Sequence, residues 1–167
     1  MRRFENVMRA VAAGAIILLM VTPALAAQEW KKTNAQMLKR QTPAKKSHQL
    51  VLQVNSNEPA MMNLALNNAT NVVQYYKDLG ENVKIDVVTF GPGLHMLRDD
   101  TSPVKARIKA ISESTPSISF EACGNTRENM SRAESKEIPL ISEAKIVKSG
   151  VVRVMELQEQ GWTYVKP

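Results

Sequence analysis

Cysteine is nearly absent from this 167-residue chain, where Cys123 stands alone. One thiol excludes an intramolecular disulfide and any multi-cysteine metal cluster. Histidine is almost as scarce, with only His48 and His95. No metal-ligand cluster and no cysteine–histidine–acid triad can be assembled from so few groups. Aromatic residues make up 5% of the chain and none is interleaved with a basic face, so the formal charge of +6 does not read as a nucleic-acid surface. The apolar run Ala10–Val21 is short for a membrane span, and no cofactor signature is present.

What is there divides into three parts. Residues 1–27 begin with Arg2, Arg3 and Arg9, continue through the apolar run, break at Pro23 and close on Ala24-Leu25-Ala26. That is the layout of a secretory signal peptide, with cleavage expected after Ala26 or Ala27. Periplasmic or secreted localisation, with no stable membrane span after cleavage, follows. Residues 28–47 form a basic polar linker in which five lysines and Arg40 face one acid, Glu29. They read as a solvated tether that an anionic surface would attract. Residues 48–167 then carry a charge of −1, with thirteen basic against fourteen acidic residues, and form one domain of ordinary size.

Within that domain, strand and helix patterns alternate five times. Leu50-Val51-Leu52 with Val54 predicts a first strand over 48–54, covered on both faces. Asn57 is placed to cap the helix that Glu58-Pro59 opens, and Met62, Ala65, Leu66, Ala69, Val72, Val73 and Tyr76 give it one apolar face. A second strand, 83–90, ends at Gly91-Pro92-Gly93. This turn can present backbone N–H groups to an anion, although it has neither dinucleotide nor P-loop spacing. His95 sits on the turn. Ser102-Pro103 begins the next helix, with Val104, Ile108 and Ile111 buried. A third strand over 117–122 leads into Cys123, and Asn125 with Glu128 resembles a capping box for a helix from Thr126. After a fourth strand, 144–148, Ser149 caps a helix whose packing side is expected to include Val151, Val154, Met155 and Leu157 or Gln158, and 162–166 makes the last strand.

This order predicts an α/β fold: a five-stranded, mostly parallel sheet with helices on both faces. In such sheets ligands bind at the C-terminal edge of the strands, where Asn57, Gly91, Gly93, His95, Cys123, Gly124, Asn125, Thr126 and Arg127 are expected to gather. A thiol at a helix N-terminus is acidified by free N–H groups and the helix dipole. Cys123 is therefore either a reactive nucleophile or a small buried hydrophobe.

Five ordered motifs carry a resemblance. Leu66-Asn67-Asn68, Gly91-Pro92-Gly93-Leu94, Ala122-Cys123-Gly124-Asn125-Thr126, Ser149-Gly150-Val151-Val152 and Gly161-Trp162-Thr163-Tyr164-Val165-Lys166-Pro167 together resemble the small DsrE/DsrF-like family, over about 48–167. The resemblance implies a DsrEFH-like fold with flavodoxin-like layering and homo-oligomers, trimers or hexamers. It also implies kinship with proteins that carry sulfane sulfur as a cysteine persulfide. Cys123 falls on the family's cysteine position, which implies a persulfide carrier served by a sulfur donor and an acceptor thiol protein. The alternative reading is a non-catalytic oligomeric binding or scaffold protein in which Cys123 is structural.

Overall fold

The computed structural model describes Lys31 and residues 46–167. The signal peptide expected over 1–27 and nearly all of the linker expected over 28–47 lie outside the described residues. Five strands, β1 (Ser47–Val54), β2 (Asn82–Thr89), β3 (Ile118–Cys123), β4 (Ala144–Val147) and β5 (Thr163–Val165), form one sheet. It has the order β4-β3-β2-β1-β5, and every pairing is parallel. The helices are α1 (Pro59–Asp78), a 3-10 helix (Gly91–Leu97), α2 (Lys105–Ser114), α3 (Gly124–Glu134) and α4 (Gly150–Glu159). Among the described residues, no helix is long and apolar enough to cross a membrane.

Alternation along each strand sorts side chains to two faces. Leu50, Leu52 and Val54 of β1, Ile85 and Val87 of β2, and Ile118, Phe120 and Ala122 of β3 bury against Met62, Leu66 and Ala69 of α1 and Ile108 and Ile111 of α2. Met130 of α3 packs on this same cluster. Full burial of one Leu or Phe is worth about 1.5–3 kcal/mol, so this face supplies most of the hydrophobic stabilisation. The opposite face is thinner, with Val51 and Val88 meeting Val154 and Leu157 of α4. Among residues 46–167, helices therefore lie on both faces, three and a 3-10 turn on one, a single helix on the other.

The asymmetry fixes a switch point. From β1, β2 and β3 the chain steps outward to the next strand through helices on the first face; from β4 it returns to β1's far side through α4 on the second. The loops leaving β3 and β4, which are neighbours, part toward opposite faces, and that is where ligands of open α/β sheets settle. Cys123 is the last residue of β3.

Several local expectations differ from what is observed. Glu58 rather than Asn57 is the N-cap of α1, because Pro59 forces the residue before it into extended backbone. Its N–H donates to Ser56 Oγ at 3.2 Å, and Asn57 is exposed. Ser102 does not open α2. Its hydroxyl donates to Met96 O at 2.6 Å and accepts from Val104 N–H at 3.3 Å, closing a turn two residues earlier. In α4 the buried positions are Gly150, Val154 and Leu157, whereas Val151 and Met155 are each 55% exposed. Gly150 sets that rotation, since a Cβ there would stand 2.8 Å from Phe90 Cδ1 and 3.2 Å from Cys123 Cβ. The Gly91-Pro92-Gly93 segment is itself the first turn of the 3-10 helix rather than a loop before a helix.

Arg98 ties the end of that helix to the end of α3. It is buried and reaches Asp100 at 2.9 and 2.8 Å and Glu134 at 2.5 and 2.9 Å. Hydrogen bonds from Arg98 hold the Glu134 carboxyl down at about 2 and that of Asp100 lower still.

Candidate functional site

Cys123 is both the end of β3 and the N-cap of α3, its Sγ accepting from Thr126 N–H at 3.4 Å. The capping box expected from Asn125 and Glu128 does not form, because the helix begins at Gly124. Gly124 permits this early start: a Cβ there would lie 3.2 Å from Val147 O and 3.4 Å from Lys148 O. Asn125 N–H instead donates to Lys148 O at 3.1 Å, joining the α3 and α4 entrances.

The thiol is free, and 4% of the residue is exposed. Desolvation is the largest single influence and pushes its pKa up. The Thr126 hydroxyl and the backbone N–H groups of Gly150, Thr126 and Asn125 together outweigh it, and the net direction is down. Sγ thus faces the N-termini of two helices, α3 and α4, whose dipoles add to the local donors. Thr126 is polarised in turn, since its Oγ1 accepts from Gly91 N–H at 3.0 Å. Thr126 thus links the 3-10 turn, through its hydroxyl, to the sulfur, through its N–H.

Gly91 holds a φ of +52°, a conformation glycine adopts without steric cost. Gly93 is needed for a different reason. A Cβ there would stand 2.1 Å from Val54 O and 2.8 Å from Asn55 Cα, so the 3-10 turn lies directly on the end of β1.

The structure joins Cys123, Gly124, Asn125, Thr126 and Gly91, with Gly93 bracing the turn. It does not turn the other expected residues toward the thiol. His95 Nδ1 and Thr101 Oγ1 share a hydrogen bond of 2.8 Å. Arg127 donates to Ile138 O at 2.9 Å and Glu137 Oε1 at 2.8 Å, bracing the loop after α3. Asn57 lies in the exposed loop between β1 and α1. Arg127, with Gly124, Glu128 and Ile146, instead lines a cleft of about 190 Å³ beginning one residue beyond Cys123. His48, at the opposite edge of the sheet, stacks on Tyr76 at 3.8 Å and pairs with Glu81 at 2.7 Å. Among the described residues no group of three or more His, Cys, Asp or Glu side chains is arranged to hold a metal ion.

Sequence reasoning missed Gly150 as a donor and missed a charged cluster beside the thiol. Arg153 of α4 donates to Glu121 at 2.8 and 3.0 Å and to Asp86 at 3.1 Å, and both acids are buried. The readable sign was Asp86 inside the apolar run Ile85–Val88, where a charge demands a partner.

No protein-family model matches the chain, and no curated protein matches it. Solved structures do. MTH1491 from Methanobacterium thermoautotrophicum, a protein of unknown function, superposes with a TM-score of 0.61 at 26% identity, over 72% of this chain and 99% of that one. The two share the α/β fold.

Proposed function

We propose that this chain is an exported, periplasmic or secreted sulfane-sulfur carrier of the DsrE/DsrF-like kind, working through Cys123. The observation that carries the reading is the seat of Sγ, which accepts from Thr126 N–H at the N-terminus of α3 while Gly150, at the N-terminus of α4, packs against Cys123. A merely structural thiol in apolar surroundings has a raised pKa. This one is drawn the other way, and the same donors suit the anionic outer sulfur of a persulfide.

The chemistry is a sulfur transfer without net oxidation. Cys123 thiolate attacks the outer sulfur of a donor persulfide, R–S–SH. The Sγ–S bond forms as the donor S–S bond breaks, and the donor departs as its thiolate, R–S⁻. An acceptor thiolate then attacks the outer sulfur of Cys123 persulfide, taking that sulfur and returning the Cys123 thiolate. With one cysteine, discharge requires a second molecule. His95 and Arg127 take no part, being engaged with Thr101 and with Ile138 and Glu137. Self-association as a trimer or hexamer belongs to the same proposal and is supported by exposed Val151, Val152 and Met155 along α4.

Intact mass spectrometry after incubation with polysulfide tests the carrier. A one-sulfur gain on the wild type that is absent from Cys123→Ser is expected, and a wild type that gains none overturns the reading. The second reading, an oligomeric scaffold with a structural cysteine, is favoured by the 4% exposure of Cys123. It predicts a thiol that stays unmodified by iodoacetamide until the chain is denatured.

A further inference from the structure

Asp86 of β2 and Glu121 of β3 lie on the face covered by α4, and the guanidinium of Arg153 reaches both. Lys145 of β4, bonded to Ser119 Oγ at 3.1 Å, is the other charged group that bears on Asp86. Burial first, and then repulsion from Glu121, hold the Asp86 carboxyl above the usual carboxylate range despite Arg153. Two buried acids on one cation are a weak source of net stability. Their location indicates a different role.

Glu121 precedes Cys123 by two residues and projects from the same face of β3. Arg153 lies in the first turn of α4, its N–H bonded to Ser149 O at 2.9 Å, three residues after Gly150. The Glu121–Arg153 pair therefore bridges the same two elements as Cys123 and Gly150, one step further from the sheet edge. The entrance of α4 is also held by Asn125 N–H on Lys148 O at 3.1 Å and by the close fit of Gly150 against Phe90, but neither is a side-chain tie to the helix turn itself. Ser149 makes no side-chain cap, and the apolar contacts of α4, through Val154 and Leu157, come later in the helix.

We propose that Arg153, held by Glu121 and Asp86, is a positioning residue that locks the N-terminal turn of α4, with its Gly150 N–H, against Cys123 Sγ. This regulates the site described above. It rests on Cys123 acting as a thiolate, and not on sulfur being its cargo.

The test is the pH–rate profile of Cys123 alkylation by iodoacetamide on the full chain, between roughly pH 5 and 10. Loss of the lock raises the midpoint by about 0.5–1 unit, as expected when one helix end draws back. Arg153→Met and Glu121→Leu are both expected to move it upward, with Arg153→Lys between them and the wild type. Charge alone predicts otherwise: removing the Glu121 anion would lower the midpoint, and Arg153→Lys would leave it unchanged. A Glu121→Leu midpoint at or below that of the wild type, or an unmoved Arg153→Lys, overturns the proposal. If Glu121→Leu or Arg153→Met fails to fold by circular dichroism, Glu121→Gln and Arg153→Lys are read by the same signs. Alkylation needs no sulfane sulfur. A wild type without a sulfur adduct whose variants still shift upward sinks the carrier and leaves the lock; an adduct with unmoved variant midpoints does the reverse.

Discussion

Gly93→Ala tests the packing that sets the candidate site, and Gly91→Ala is its internal control. At Gly93 a Cβ would stand 2.1 Å from Val54 O, 2.6 Å from Val54 C and 2.8 Å from Asn55 Cα. All three are backbone atoms at the end of an interior strand, so no side chain can swing aside. Restoring ordinary contact requires the 3-10 turn and β1 to separate by about 1 Å or more. That movement stretches the Phe90 N–H bond to Val54 O, already 3.2 Å. Overpacking of this severity costs about 3 kcal/mol or more, a large part of an ordinary domain's 5–15 kcal/mol. Gly91 has the opposite problem: its φ is +52°, yet nothing lies within 4 Å of its added Cβ. Alanine there pays only the left-handed backbone penalty, about 1–2 kcal/mol. Urea unfolding followed by circular dichroism is expected to rank wild type above Gly91→Ala and Gly91→Ala above Gly93→Ala, with unchanged m-values. If Gly93→Ala is as stable as Gly91→Ala, the close approach of the turn to β1 is wrong.

Two further outcomes follow from the same geometry. Thr126→Val removes a hydroxyl that accepts from Gly91 N–H and that helps draw the Cys123 pKa down. The alkylation midpoint is expected to rise by about 0.5–1 unit and stability to fall by about 1–2 kcal/mol for the orphaned N–H; an unmoved midpoint refutes the relay. The Arg98 cluster gives an acid dependence. Hydrogen bonds from Arg98 hold Glu134 at about 2 and Asp100 below it, so in this range the folded chain binds fewer protons than the unfolded one. The stabilisation is complete above the ordinary carboxylate pKa of about 4 and is lost as pH falls toward 2. Urea midpoints are expected to fall along this acid limb less steeply in Arg98→Met than in the wild type, and parallel limbs refute the assignment.

What could be read from the sequence divides along a physical line. The sheet was legible because strand burial is local: the runs at Leu50–Val54 and Val83–Thr89 state their own period, and the alternation with helices implies parallel pairing. Cys123 was legible for a related reason, since a strand end followed by glycine and polar residues places a thiol at a helix entrance. Failures came wherever a neighbour distant in sequence decides. The apolar stripe of α4 suggested Val151 and Met155, but Gly150 must face Phe90 and Cys123, and that contact rotates the helix away from the pattern. His95 and Arg127 were plausible partners by proximity along the chain, yet Thr101 and the Glu137–Ile138 segment hold them. Arg153 was invisible as a site residue because its relation to Cys123 runs through β4's return crossing to the other face. That crossing explains why the thiol is both buried and acidified. α3 and α4 leave adjacent strands toward opposite faces, so both helix N-termini remain near one sulfur while their bodies cover it from two sides. The burial that opposes ionisation and the donors that favour it thus share one topological cause, and the balance between them is set by how tightly the first turn of α4 is held.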